Sequence, residues 1–94
     1  MKLISITPSD KPEKKLKATF ETDGRTKTTH FGSRGMSDYT KNHSESRKAN
    51  YLSRHAATEH WNDPTSAGAL SRWVLWNKTS LEASKADYKR RFGL

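Results

Sequence analysis

The dipeptide Asp23-Gly24 constrains the fold of this chain more than any other feature. It separates two alternating segments, Leu16 to Thr22 and Arg25 to Phe31, and Asp-Gly between such segments is typical of a two-residue β-hairpin turn. A turn of that length also sets the register of the two strands. The predicted pairs are Thr22 with Arg25, Phe20 with Lys27, Ala18 with Thr29, and Leu16 with Phe31.

This register gives the hairpin one apolar face and one polar face. The segment Lys2 to Thr7 alternates well enough to add a third strand, with Ile4 and Ile6 on one face. A sheet with one apolar face needs a cover, and the rest of the chain must supply it. The apolar face carries Leu16, Ala18, Phe20 and Phe31; the polar face carries Lys17, Thr19, Glu21, Thr26, Thr28 and His30.

Three helices are predicted after the sheet, each with its own start signal. Asn42 with Glu45 forms a capping box for a helix over about 43–58. Asp63-Pro64 starts a second over about 64–77, and Thr79 with Glu82 starts a third that ends at Gly93. The apolar run from Trp73 to Trp76 indicates that the second helix is central. The predicted inward residues are Ala49, Leu52 and Ala56, then Ala67, Leu70 and Val74, then Leu81, Tyr88 and Phe92.

These elements predict an α+β fold in a single domain over 1–94. Residues 1–35 form a three-stranded antiparallel sheet, made of the N-terminal strand and the Asp23-Gly24 hairpin, and 36–94 supply three helices that cover one face. A chain of 94 residues is close to the size at which one core is marginally stabilising. Three Trp, three Tyr and three Phe nevertheless argue against disorder, because disordered chains are poor in aromatic residues.

The charge and composition narrow the class of partner. The formal net charge is +8, which favours a polyanion such as nucleic acid, an anionic membrane face or an acidic protein surface. The chain has no cysteine, so disulfides and thiolate metal sites are excluded. No apolar run approaches the length of a membrane span, and the apolar N-terminus is too short for a signal peptide. We therefore expect a soluble protein with no membrane partner.

The residues predicted to contact nucleic acid are basic side chains on two helices and in the segment 14–17. Arg47, Asn50 and Arg54 recur on the side of the first helix opposite its apolar stripe. The link Asn77-Lys78-Thr79 between the second and third helices is compatible with a helix-turn-helix, or equally with a plain helical hairpin. The predicted set is Arg47, Arg54, Lys85, Lys89, Arg90 and Arg91, assisted by Lys14, Lys15 and Lys17.

The histidines raise two further hypotheses. His55 and His60 have a His-x4-His spacing, but the remaining zinc ligands would come from distant segments and structural zinc usually recruits cysteine. Asp38, His43 and His55 could serve acid–base chemistry in a small nuclease, yet no nuclease motif accompanies them. We predict no catalytic residue, metal or cofactor. The preferred interpretation is a structural polar cluster of His30, Asp38, His43 and His55, with Asp38 accepting from Arg47, Arg54 or backbone amides.

Two smaller features also concern the surface. The three tryptophans are expected mostly in the core, with Trp76 partly exposed at its helix end. The loop Gly32-Ser33-Arg34-Gly35 is a flexible turn whose backbone amides could nest a phosphate.

A scattered pattern of residues extends over most of the chain: His30-Phe31-Gly32, Asp38-Tyr39-Thr40, His43, Arg47, Tyr51, Arg54-His55, Trp61, Gly68-Ala69-Leu70, Leu75-Trp76, Tyr88 and Phe92. This pattern resembles a family of small basic proteins, a domain of unknown function found in giant DNA viruses of algae and protists and in some phages. The resemblance covers 30–92 and supports the N-terminal hairpin least. It implies a viral setting, in the host cell interior (cytoplasm or nucleus) or in the virion, and carries over no catalytic role.

The expected function is that of a non-enzymatic binding protein that contacts nucleic acid mainly through phosphates, with weak sequence preference. The alternative is a small virion structural or adaptor protein whose surface meets acidic capsid partners or a second copy. An enzyme ranks third.

Overall fold

Three strands form an antiparallel sheet in the order β1-β2-β3 in a computed structural model that describes residues 1–94. Their bounds are Lys2–Pro8 (β1), Lys14–Thr22 (β2) and Arg25–Ser33 (β3). Asp23 and Gly24 have φ angles of 50° and 78°, as a tight hairpin turn with two left-handed residues requires. All four strand pairs predicted for the hairpin are present. The turn chemistry therefore predicts the register correctly.

Strand β1 departs from simple alternation at Ile4. Leu3 lies opposite Phe20 and Ser5 opposite Thr19, so Ile4 is an extra residue in a β-bulge. Leu3 and Ile6 consequently pack against the core, whereas Ile4 is 49% exposed. The prediction that Ile4 and Ile6 share a face is wrong, because the bulge reverses the alternation between them.

The helical region contains one more segment than predicted. Its bounds are Tyr39–Asn42 (α1), Glu45–His55 (α2), Ala67–Leu70 (α3) and Leu81–Phe92 (α4), and α3 continues as a π-helical segment over Ser71–Leu75. The extra helix, α1, ends at His43, which has a left-handed φ of 49°. The helix predicted over about 43–58 is present, but it begins at Glu45 and ends at His55.

Serine side chains, not the predicted residues, cap the last three helices. The N-caps are Ser44 for α2, Ser66 for α3 and Ser80 for α4. The predicted caps at Asn42, Asp63 and Thr79 are therefore wrong. Asn42 and Asp63 instead accept from backbone amides two residues later, so they stabilise turns that precede the helices. The predicted end of the last helix at Gly93 is confirmed.

The main core lies between the sheet and the segment formed by α3 and its π-helical continuation. Tyr88 of α4 closes it, and its hydroxyl donates to the Pro64 carbonyl at 2.6 Å. The predicted central position of the second helix is confirmed, and so is the α+β fold. Leu81 and Phe92 pack against this core while partly exposed. The buried core residues are Ala18, Phe20, Phe31, Leu70, Val74, Leu75 and Tyr88.

Helix α2 lies at the margin of this core. The predicted inward stripe is wrong, because Ala49 and Ala56 are exposed and Leu52 is half-buried; in the second helix Ala67 is exposed as well. The residue of α2 that faces inward is Tyr51, which is buried and stacks on Trp76 with ring centroids 4.7 Å apart. An aromatic ring buries far more apolar area than an alanine methyl group, so Tyr51 determines which side of α2 faces the protein.

None of the helices has both the length and the apolar character needed to cross a membrane.

Candidate nucleic-acid interface

A groove of about 720 Å³ separates α2 from the loop that follows β3. We call it the α2 groove. Its lining is polar except for Met36 and Trp76, and it includes no carboxylate and no imidazole. Asn42 helps to hold the loop, since its amide donates to the Ser37 hydroxyl at 3.3 Å. The lining residues are Gly35, Met36, Ser37, Asn42, Arg47, Asn50, Ser53, Arg54 and Trp76.

Arg47 and Arg54 give the α2 groove its positive charge. Both are exposed, as is Asn50 between them, which confirms the predicted outward stripe of α2. Neither guanidinium forms an ion pair with a carboxylate. The two Cα atoms are about 10 Å apart along the axis, because an α-helix rises about 1.5 Å per residue. The groove thus presents two unpaired cations along one wall.

A cavity of about 340 Å³ continues the groove inward towards β2, and both share Met36, Ser37, Arg54 and Trp76. Its acidic groups are already paired. Asp38 lies 2.6 Å from Lys15, and Glu59 lies 2.5 Å from Nδ1 of His55. Lys14 also lines this cavity. Three cationic side chains thus line this cavity against two carboxylates, so it carries no net negative charge.

Asp38 is a structural residue. Its carboxylate accepts from the Thr40 backbone amide at 3.0 Å and from the Thr40 hydroxyl, which caps α1. Its ion partner is Lys15, not Arg47 or Arg54 as predicted. The Lys15 side chain is 13% exposed, so it is held inside the protein and is withdrawn from the predicted nucleic-acid set.

The predicted cluster of His30, Asp38, His43 and His55 is not formed. His30 lies on the polar face of the sheet, where its Nδ1 is 2.7 Å from the Ser9 hydroxyl. His43 is exposed, with Nε2 3.1 Å from the Thr40 carbonyl. His55 stacks on Tyr51 and bonds to Glu59. Asp38 and His55 line the same inner cavity but bond to separate partners, and neither His30 nor His43 lines that cavity. No group of three or more metal-ligating side chains is present in residues 1–94.

Three of the four basic side chains of α4 form ion pairs within the protein. Arg90 and Arg91 both pair with Asp87, and the Arg91 guanidinium lies 3.8 Å from the centroid of the Trp73 ring. Lys85 reaches Glu82 and the Ile6 carbonyl, each at 3.5 Å. Lys89 alone in this group has no ion pair. A recognition helix would need such side chains free to reach a groove, so a plain helical hairpin is favoured.

Asp87 organises the junction between the π-helical segment and α4. Its buried carboxylate accepts from the side-chain amide of Asn77 at 2.7 Å, and the same amide donates to the Trp73 carbonyl at 3.2 Å. The hydrogen bond from Asn77 is the largest of the causes that hold the pKa of Asp87 below its usual value, and the nearby charges of Arg91 and Arg90 act in the same direction. The sequence patterns missed this contact, because its partners are 10 residues apart and follow no helical period.

Two further cations fix the backbone at Trp76. Arg72 donates to the Trp76 carbonyl at 2.8 Å and lies 4.0 Å from the Trp73 ring centroid. Lys48 donates to the Asn77 carbonyl at 2.7 Å. Burial lowers the pKa of both side chains. These cations hold Trp76 beside the groove, and neither was predicted to have this role.

Arg34 is structural as well. Its guanidinium donates to the carbonyls of Ser9, Lys11 and Lys14 at 2.8–3.3 Å, which ties the 9–14 loop to the end of β3. Gly32 has a φ of 78°, and a Cβ there would lie 2.7 Å from Leu75. In the predicted phosphate nest at 32–35, Gly32 and Arg34 therefore have structural roles.

Of the predicted basic residues, the structure brings Arg47, Arg54, Lys14 and Lys15 to the same groove system, and Lys15 is paired there with Asp38. Lys17 lies elsewhere, on the polar side of the sheet 3.8 Å from Asp10. Met36 and Ser37 were missed, because their place opposite α2 depends on the path of the loop.

The model of a family described as "Family of unknown function (DUF5754)" matches residues 4–55, which is more than half of the chain. The matched stretch runs from β1 to the end of α2 and includes the loop and both arginines of the α2 groove. No curated protein and no solved structure matches the chain.

Proposed function

The chain belongs to the DUF5754 family, and we propose that it is a small, non-enzymatic protein that binds nucleic acid mainly through phosphates. The observation that carries this proposal is the α2 groove, where Arg47 and Arg54 line one wall without an ion pair. A guanidinium can donate two parallel hydrogen bonds to a phosphate. The net charge of +8 would draw a polyanion towards that wall.

The remaining polar lining supports the same chemistry. Asn50 and Ser53 lie on α2, and Ser37 and Asn42 lie at the loop side of the groove. Amide and hydroxyl groups of this kind donate to phosphate and sugar oxygens in protein–nucleic acid complexes. Such contacts position a strand without reading its sequence, so we expect weak sequence preference.

The composition of the groove favours binding over catalysis. General acid–base chemistry needs a titratable group within hydrogen-bond distance of the reacting atoms. The α2 groove is lined by amides, hydroxyls and guanidiniums, none of which titrates near neutral pH. His55 lies in the adjoining cavity, where its Nδ1 is occupied by Glu59.

The proposal includes a viral setting. In it the protein acts in the interior of the host cell, in the cytoplasm or nucleus, or within the virion. Its support is the resemblance of 30–92 to small basic proteins of giant DNA viruses and phages.

The direct test is the affinity for labelled DNA, single-stranded and duplex, measured by fluorescence anisotropy across a range of salt. We expect log K to fall linearly with log salt. Two phosphate contacts predict a slope of about −1.4 for a single strand, at about −0.7 per contact. Absence of binding at low salt, or binding that salt does not weaken, would contradict the proposal.

A second candidate is a virion structural or adaptor protein. It is favoured by the outer edge of β1, which pairs with no strand and carries the exposed Ile4 beside Lys85 and Lys89. An open edge of this kind can accept a strand from a partner, and the lysines suit an acidic one. Light scattering of wild type and of Ile4→Lys tests self-association: a monomer in both would exclude a second copy as that partner.

A further inference from the structure

We infer that the α2 groove takes a single strand of DNA or RNA, with one unstacked base held against Trp76 and Met36. The inference rests on the proposed function and adds the class of nucleic acid and the mode of contact. It starts from the two apolar residues in an otherwise polar groove. Phosphate binding alone would need neither of them.

Trp76 is the end of a stack of three rings. His55 stacks on Tyr51 with centroids 4.3 Å apart, and Tyr51 stacks on Trp76 at 4.7 Å with an angle of 7° between the planes. Trp76 is half-buried and lines both the groove and the inner cavity. An indole fixed in this way can accept a further planar ring at little cost in conformational entropy.

Met36 supplies a second apolar contact at the same place. It is 66% exposed, which makes it the most exposed of the large apolar side chains, and it lies on the loop facing α2. Exposure of a single apolar residue is ordinary, but here it coincides with the groove that contains Trp76. A thioether packs well against aromatic rings, so a base entering the groove would contact sulfur and indole together.

The concave shape and the half-buried indole that lines the groove favour a single strand over a duplex. In a duplex the faces of the bases are covered by their neighbours, whereas single strands offer bases that can stack on aromatic side chains. Arg47 and Arg54 then contact the phosphates that flank the inserted base. DNA and RNA strands share this chemistry, and the test below separates them.

The first experiment uses the wild-type protein and needs no variant. Affinity is measured for oligothymidylate, for the abasic strand of the same length, for the corresponding duplex and for oligouridylate. We expect the abasic strand to bind about tenfold more weakly, because one stacked base contributes on the order of a tenfold gain in affinity. The duplex should also bind more weakly. A preference for oligouridylate over oligothymidylate would identify RNA as the ligand.

The second experiment identifies the residues. Trp76→Leu should reduce the ratio of thymidylate to abasic affinity towards unity, while Trp76→Phe should retain most of it. Met36→Ala should lower the ratio about twofold to threefold, given that a sulfur–aromatic contact is weaker than a stacked ring. Ile4→Ala is the matched control, as it removes an exposed apolar side chain outside the groove and should leave the ratio unchanged.

The outcomes separate this inference from the proposed function. Equal binding of oligothymidylate, abasic strand and duplex by the wild type would leave phosphate binding intact and overturn the stacking inference. No binding of any strand at low salt would overturn both. A ratio unchanged by Trp76→Leu would place the base elsewhere and also overturn the inference.

Discussion

Two basic surfaces of this small protein look alike in sequence and differ in structure. On α4, Arg90 and Arg91 share the carboxylate of Asp87, and Arg91 also covers the ring of Trp73. On α2, Arg47 and Arg54 line a groove and pair with no carboxylate. Sequence counts formal charges, whereas binding depends on charges that no internal partner has neutralised. The α2 surface is therefore the one expected to meet a polyanion.

The cations of the two surfaces contact different partners. The cations around α4 contact Asp87 and the tryptophan rings, so they stabilise the fold. The cations of the α2 groove contact solvent, so their removal should leave the fold intact. Changes near α4 are predicted to alter the free energy of unfolding, and changes in the groove to alter binding.

The largest effect is expected for Trp73→Ala. The ring lies beside the guanidiniums of Arg72 and Arg91, and its Nε1 donates to the Trp61 carbonyl at 3.1 Å. Its loss should lower the free energy of unfolding by about 3 kcal/mol, the lower end of the range for a fully buried tryptophan, because this ring is half-buried. Urea unfolding followed by circular dichroism measures the loss. A loss no larger than that of Met36→Ala would contradict the role given to this surface.

Asp87→Ala should have the next largest effect. It removes the acceptor of Asn77, and an unsatisfied buried amide costs about 1–3 kcal/mol. Urea unfolding at neutral pH measures this loss as well. Lys89→Ala, two residues away on the exposed side of α4, is the control and should change stability by less than about 0.5 kcal/mol.

The same carboxylate predicts a dependence of stability on pH. The pKa of Asp87 is lowered in the folded protein, first by the Asn77 bond and then by Arg91 and Arg90. A lowered folded-state pKa contributes stability above the unfolded value of about 3.9, and that contribution is lost as the pH falls through the folded value. Asp87→Asn should therefore lose less stability than wild type when the pH is lowered below about 4. Equal acid sensitivity of the two proteins would show that Asp87 is not held in this way.

Local turn chemistry accounts for the part of the fold that could be predicted. Asp-Gly predicts a left-handed turn without reference to the rest of the chain, and the register of β2 and β3 follows from it. The first residues of the helices were harder to predict, because the sequence has two possible capping residues near each start, such as Asn42 and Ser44. Because His43 adopts a left-handed conformation, the helix begins after Ser44 and not after Asn42. The sequence carries no strong signal for that conformation. The bulge at Ile4 likewise lacks a local signature.

The candidate site also has one part that could be predicted from the sequence and one part that could not. The exposed stripe of Arg47, Asn50 and Arg54 follows from helical periodicity alone. The opposite wall at Met36 and Ser37 depends on how the loop returns to the protein. The pair that withdraws the charge of Lys15 joins it to Asp38, 23 positions away, and the hydrogen bond from Asn77 to Asp87 spans 10 positions. Charge patterning in the sequence does not show these two contacts, whereas the pairs of Asp87 with Arg90 and Arg91 follow the i,i+3 and i,i+4 spacing of a helix.

A matched pair of double variants tests the comparison through binding. Arg47→Ala with Arg54→Ala, and Lys89→Ala with Arg90→Ala, each remove two positive charges. The groove variant should make the slope of log K against log salt for a single strand shallower by about 1.4, since two phosphate contacts are lost. It should also keep its stability within about 0.5 kcal/mol of wild type.

The α4 variant should have the smallest effect on binding. It lowers the overall charge by the same amount but removes no groove contact, so a small, general weakening is expected. Equal losses of slope in the two variants would show that binding follows net charge and not the groove.

The most direct test of the groove as the binding surface uses the three tryptophan indole N–H signals in a nitrogen–proton correlation spectrum. Trp76 lines the α2 groove, whereas Trp61 and Trp73 lie with Arg72, and Arg91 covers Trp73. On addition of a single-stranded oligonucleotide at low salt, the Trp76 signal should shift while the Trp61 and Trp73 signals remain in place. Shifts of Trp61 and Trp73 without a shift of Trp76 would contradict the account and place the binding surface at α4.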